Sequence, residues 1–178
     1  MTIFLSGGCK NGKSTIAERC AVKLSNRGPL YYIATMIPHD HEDDARILRH
    51  QKEREGWGFE TLEVGKDILS CLDRADPSGS FLLDSVTALL SNEMFDAEGI
   101  HMDVHLKIAD ELEAFVKRAP NTVLVSDYIY SDAMIYDELT EAYRAALAYI
   151  DKRLAKCCDT VLEVVNGQVI CHKGELPL

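Results

Sequence analysis

The chain has 178 residues, 47% of them hydrophobic and 27% charged, a balance that excludes a disordered or fibrous chain. A chain of this length buries roughly 70% of the surface that its unfolded form exposes, so it needs no disulfide or metal staple to fold. Nineteen basic residues against 29 acidic ones give a formal charge of -10, the wrong sign for a general phosphate-backbone binder, and no nucleic-acid partner is expected.

Taken in chain order, residues 2–6 form a short and nearly continuous apolar run, as a strand buried on both faces requires. They lead into a glycine-rich stretch and then into helix formers over residues 13–25, halted by Gly28-Pro29. A second strand is expected at 30–35 and a polar helix at 42–53. A third strand at 80–84 is followed by helices at 85–95 and 101–118, the latter stopped by Ala119-Pro120. A fourth strand at 122–127, a long helix at 136–156 and a fifth strand at 160–165 complete the alternation. Residues 164–170 read as a hairpin on a type I′ Asn166-Gly167 turn.

This order predicts an α/β fold in one domain over residues 1–178. Its sheet is mostly parallel, with helices on both faces, a C-terminal antiparallel hairpin, and ligands at the carboxyl ends of the strands. Apolar runs such as Phe81-Leu82-Leu83 fall far below the ~20 residues that span a bilayer, and no basic segment precedes a signal-peptide core, so no membrane span and a cytoplasmic location are expected. Cysteines 9, 20, 71, 157, 158 and 171 contain no CxxC pair and are expected to be reduced thiols.

The stretch Gly7-Gly8-Cys9-Lys10-Asn11-Gly12-Lys13-Ser14 fits GxxxxGK[ST] between a strand and a helix. Such a loop curls its backbone N–H groups around phosphate oxygens, its lysine reaches the β- and γ-phosphates, and its serine hydroxyl serves Mg²⁺. Nucleoside triphosphate binding follows. A magnesium-bound loop of this kind needs an acid at a neighbouring strand end, and Asp84 and Asp127 both qualify by spacing, each also a credible N-cap of the next helix. Asp84 is the preferred reading. The NKxD motif that reads guanine is absent from the sequence.

On the polar helix, acids lead and bases trail, as the macrodipole favours, and Ala45, Ile47 and Leu48 are its only apolar residues. It is expected to project from the core. Arg46, His50 and Arg54 recur every four residues on one face. Cations hold an imidazole toward its neutral form, which suits attack on phosphorus, although a solvated charged face accounts for the same pattern. His101 and His105 are four apart but have no third metal ligand in view. Cys9 reads as loop packing with an alkylatable thiol, and Tyr128, Tyr130 and Tyr136 as a pocket floor or loop packing.

The phosphate loop, Tyr32-Ile33-Ala34-Thr35, the Arg46-Ile47-x-x-His50-x-x-x-Arg54 helix, Thr61-x-Glu63, Leu82-Leu83-Asp84-Ser85-Val86-Thr87 and Ser91-Asn92-Glu93 occur in that order. Together they resemble the adenosylcobinamide kinase / adenosylcobinamide-phosphate guanylyltransferase family over roughly residues 3–174. The resemblance implies a P-loop NTPase of RecA-like fold that phosphorylates adenosylcobinamide with a nucleoside triphosphate and then transfers GMP from GTP. It makes His50 the guanylylated nucleophile and Gly7, Gly8, Cys9, Lys10, Asn11, Gly12, Lys13 and Ser14 the phosphate cradle. Ala34, Thr35, Met36, Gln51, Lys52, Glu53, Arg54, Glu63 and Asp84 would line the nucleotide site, with Mg²⁺ on Ser14 and Asp84, and GTP and ATP as substrates. A corrinoid small molecule is the implied partner and a homotrimer the implied assembly.

The C-terminal half departs from that pattern. The family's Val-Ser/Thr-Asn-Glu-Val-Gly is Val125-Ser126-Asp127-Tyr128-Ile129-Tyr130 here. Of the Arg-Asp pair, Gly and Asn expected further on, Arg144 remains, while Ala145, Ala148 and Asp151 hold the other places. Two other readings fit the phosphate loop: a kinase of another small molecule without guanylyl transfer, and a non-enzymatic nucleotide-dependent binding protein.

Overall fold

The computed structural model describes residues 1–38 and 41–177, the side chains of residues 42–46 and 53 excepted. In chain order the elements are β1 (Thr2–Gly7), α1 (Lys13–Ser25), β2 (Leu30–Ala34), α2 (His41–Glu53), β3 (Glu60–Glu63), a 3-10 segment (Ile68–Asp73), β4 (Ser80–Asp84) and α3 (Val86–Met94). They continue with β5 (Phe95–Asp96), β6 (Gly99–Ile100), α4 (Val104–Arg118), β7 (Thr122–Asp127), α5 (Glu138–Cys157), β8 (Thr160–Val165) and β9 (Gln168–Lys173).

Among the described residues, seven strands form one sheet in the order β3-β2-β4-β7-β1-β8-β9, and β5 pairs with β6. The first six strands in that order run parallel and β9 returns antiparallel to β8. The hairpin turn forms as expected, with Asn166 at φ 50° and Gly167 at φ 75°. Pleating sends alternate residues to opposite faces. Ile3 and Leu5 join Tyr32, Leu82, Val123 and Val125 against the α1 residues Ile16, Ala17, Cys20 and Ala21. Phe4, Ile33, Phe81, Leu83 and Leu124 pack on the other face against α3, α4 and α5 through residues such as Leu89, Leu112, Phe115, Leu147 and Ile150. Both faces of the central strands are therefore covered, which is why those strands read as unbroken apolar runs.

Several boundaries moved for local reasons. Ser85 is the N-cap of α3, its side chain accepting from the N–H of Ala88, and Asp137 caps α5 by accepting from Leu139 and Thr140. Phe95, expected at the end of a helix, pairs instead with Ile100 in the small hairpin. Among the described residues, no helix is long and apolar enough to cross a membrane, and all six cysteines are free thiols.

The register decides what gathers at the carboxyl edge. Ala34 lies opposite both Glu63 and Asp84, and Asp84 opposite Val125. Strand β7 runs two residues further, bringing Asp127 level with Gly7 at the mouth of the glycine-rich loop.

Candidate functional site

The loop between β1 and α1 is held by close contacts. Asn11 Nδ2 donates to the carbonyl of Val164 in β8. A Cβ on Gly7 would fall 2.5 Å from that carbonyl and 2.7 Å from Asn11 Nδ2, so only glycine fits there. Gly12, the N-cap of α1, has φ 91°, and the carbonyl of Gly12 accepts from the N–H of Ile16. Cys9 and Lys10 are exposed at the tip, Gly8 and Asn11 half-buried, and Lys13 only 7% exposed.

The two strand-end acids have different partners. Lys13 Nζ donates to the carbonyl of Gly8 at 2.6 Å and pairs with Asp127 Oδ1 at 2.9 Å. Asp84 Oδ2 accepts from the Ser14 hydroxyl at 3.4 Å and from the Tyr32 hydroxyl at 2.9 Å. Burial, reinforced by the Asp84 carboxylate, pushes the Tyr32 phenol well above its ordinary range, so it stays a neutral donor. Over the Tyr32 ring lies Arg54, its Cζ 3.3 Å from the centroid. The Arg54 guanidinium is buried, and its Nη1 has no hydrogen-bond partner among the described residues.

Arg54, Tyr32 and Asp84 also line a cleft of about 420 Å³ at the ends of β2, β3 and β4. Of the residues expected at a nucleotide site, Ala34, Met36, His50, Gln51, Arg54, Glu63 and Asp84 all lie on its wall. His50 is half-buried there, on the same helix as Ile47, which also lines the cleft. Thr35 is buried behind the wall, exchanging hydrogen bonds with the backbone N–H and carbonyl of Ser85. Lys52 is exposed and off the wall. The side chains of Arg46 and Glu53 lie outside the described residues. A second, more open hollow of about 430 Å³ adjoins the first through Gln51, Arg54 and Thr61 and continues over Glu55, Gly56, Gly58 and Phe59. Between those two glycines stands Trp57, 38% exposed, its N–H donating to the carbonyl of Arg54.

Two residues quoted within the motifs, but given no role by them, help build this wall. Asn92 on α3 donates to the carbonyls of Thr35 at 2.6 Å and Gly65 at 2.9 Å, tying together the chain just beyond β2 and β3. The signal was an amide side chain on a helix whose buried residues are mostly apolar. Tyr32 stood in a strand and in one of the motifs that carry the resemblance, and a hydroxyl on a strand buried on both faces demands a partner.

His101 and His105 take separate partners. His101 pairs with Asp96 at 3.0 Å, while His105 contacts the carbonyl of Met102 and the ring of Tyr149. Asp67, Glu93 and Glu111 do cluster, but Lys107 stands among them at 2.5, 2.6 and 3.6 Å. Tyr128 and Tyr130 meet edge to face at 5.0 Å, and Tyr136 lies under Arg144.

Two of the departures in the C-terminal half, Tyr130 and Asp151, contact one another. Asp151, on α5, accepts from Ser126 at 3.0 Å and Tyr130 at 2.9 Å, while its Oδ1 has no partner among the described residues. Burial pushes its carboxyl up to about 7; the Asp127 charge adds to the rise, and the two hydrogen bonds oppose it. The folded group thus keeps its proton up to about pH 7, whereas the unfolded one loses it near ~4, so stability falls as pH rises through that window. Asp151→Asn is expected to remove this fall, on the order of a few kcal/mol at most. Urea midpoints at pH 5 and pH 8 check it: an equal drop in both proteins would reject the assignment.

A family model described as cobinamide kinase / cobinamide phosphate guanyltransferase matches residues 3–171. The chain is 27% identical over 176 residues to a bifunctional adenosylcobalamin biosynthesis protein, CobP, of Pseudomonas aeruginosa, covering 98% of this chain and 99% of that one. Among solved structures it is similar to a KaiC-like protein of Pyrococcus horikoshii, with a TM-score of 0.52 at 15% identity over 98% of this chain and 79% of the other. It is also similar to an ATPase domain, with a TM-score of 0.54 at 10% identity over 97% and 76%. These two carry the fold alone, a P-loop NTPase of RecA-like type.

Proposed function

The chain belongs to the cobinamide kinase / cobinamide phosphate guanyltransferase family, and from that premise we propose that it phosphorylates adenosylcobinamide and then transfers GMP to the product through a guanylylated His50. One observation carries this reading. His50, Gln51 and Arg54 face a cleft whose wall includes Asp84, and the same Asp84 carboxylate accepts from Ser14 of the phosphate loop. A triphosphate held by the loop thus has a nucleophilic imidazole and a guanidinium along its path.

In the first reaction Lys13 neutralises the β- and γ-phosphates, and the backbone N–H groups from Gly8 to Ser14 hold their oxygens. Ser14 and Asp84 offer a hydroxyl and a carboxylate, an all-oxygen donor pair 3.4 Å apart that fits Mg²⁺, which when bound supplies charge neutralisation on the phosphates. In the second, the His50 imidazole attacks the α-phosphorus of GTP, pyrophosphate departs, and the corrinoid phosphate displaces the histidine. The Arg54 guanidinium, stacked on Tyr32, presents its N–H donors to phosphate oxygens in the cleft. ATP and GTP are both substrates in this scheme, which needs one nucleotide-binding domain over residues 1–178. Assembly as a homotrimer and a cytoplasmic location belong to the same proposal.

Intact mass after incubation with GTP and Mg²⁺ tests it. Wild-type protein is expected to gain the mass of one GMP and to lose it when corrinoid phosphate is added. A protein that hydrolyses or binds GTP with no gain in mass would return His50 to a solvated face and favour a kinase without guanylyl transfer.

A further inference from the structure

We propose that Asp127 is the carboxylate that receives the proton of the acceptor hydroxyl during phosphoryl transfer, an assignment that rests on the kinase reading above and deepens it. The case begins with position. Asp127 ends β7 two residues beyond the level of Asp84, and its backbone is pinned on both sides: its own N–H donates to Thr87 Oγ1 at 2.9 Å and that of Tyr128 to the carbonyl of Gly7 at 2.9 Å. Its carboxylate is therefore held at a fixed place beside the phosphate loop, 2.9 Å from Lys13 Nζ.

When a triphosphate fills the loop, Lys13 turns its donors to the β- and γ-phosphates. Asp127, on the other side of the same ammonium, then stands across from the γ-phosphate. Two anions on either side of one ammonium repel unless positive charge or a shared proton lies between them. Lys13 supplies the first and the hydroxyl of an incoming acceptor the second. Asp84 is otherwise engaged, accepting from Ser14 and Tyr32, so the two acids divide the work between the metal side and the acceptor side. The acceptor also has a way in. Asp127 is 25% exposed, and the chain beyond it runs outward through Tyr128, 42% exposed and packed edge-on against Tyr130. Lys13 faces Asp127 from the loop, and Asp151 and Tyr143 on α5 both feel its charge.

The step balances. The acceptor oxygen forms a bond to the γ-phosphorus, the bond from that phosphorus to the β,γ-bridging oxygen breaks with its electron pair leaving on ADP, and the hydroxyl proton passes to Asp127 and then to water. The competing account makes Asp127 only a counter-ion for the buried Lys13.

Asp127→Asn separates the two, measured as the rate of phosphoryl transfer from MgATP to cobinamide at saturation alongside MgATP affinity. A proton acceptor predicts a rate lower by about 10²–10³-fold with affinity within about threefold of wild type, and the retained affinity shows that the variant is folded. A saturated rate within about threefold of wild type, whatever the affinity, overturns the proposal. Should wild-type protein phosphorylate no corrinoid, the kinase reading itself fails. Magnesium-dependent ATP hydrolysis then decides on Asp127, with water as the hydroxyl: equal hydrolysis in both proteins overturns the proposal, and hydrolysis lost with affinity retained upholds it.

Discussion

Lys13→Ala is expected to weaken triphosphate binding by about ten- to a hundredfold and to reduce phosphoryl transfer further still, because a charge-assisted contact to phosphate contributes about 1.5–3 kcal/mol and the transferring group gains more from it in the transition state. The geometry adds a second penalty. Lys13 Nζ also faces Asp127 at 2.9 Å, so the truncated protein presents an uncompensated carboxylate to the incoming phosphates. Equilibrium titration with ATP and GTP, followed by single-turnover phosphorylation of cobinamide, measures both effects. Unchanged affinity for both nucleotides would remove the phosphate-loop assignment, and with it every reading that starts from a bound triphosphate.

Of comparable size but opposite selectivity is the effect expected of His50→Asn. His50 lies half-buried on α2 at the cleft wall, and a polar substitution there costs on the order of 1 kcal/mol or less of stability. The covalent adduct and GMP transfer should nevertheless disappear, since asparagine has no nucleophilic nitrogen to attack phosphorus. Kinase activity should survive in part, because Lys13, Ser14 and Asp84 are carried by α1 and β4 and not by α2. In wild-type protein the adduct should be labile to acid and stable to base, as a phosphorus–nitrogen bond is. GMP transfer at the wild-type rate by His50→Asn, with no adduct trapped from wild-type protein, would refute the covalent route.

What the sequence revealed of the fold follows burial. Strands β1, β2, β4, β7 and β8 carry apolar residues on both faces and stood out as runs, and the Asn166-Gly167 turn could be read from its residue types. Strand β3 could not, because at the sheet edge Leu62 is its only buried residue and its neighbours are polar. The pair β5 and β6, two residues each, is too short to leave a period. The loop itself was written in its glycines and Lys13. Spacing, by contrast, could not divide labour between Asp84 and Asp127, since both end apolar strands of the same kind. Strand order and register separate them, and these are set by pairings between segments far apart in the chain. The same holds for Arg54 over Tyr32: helical spacing put Arg54 on a face with His50 but contained nothing about the ring beneath it.

The Gly56-Trp57-Gly58 corner gives the protein an optical property. The chain has a single tryptophan, so all indole emission originates at one point, on the segment that leaves α2 and borders the open hollow beside Arg54. Fluorescence excited in the indole band is a local signal here, undiluted by other emitters of its kind. The end of the helix that carries His50 can be followed in real time, in unlabelled protein, as nucleotide is added.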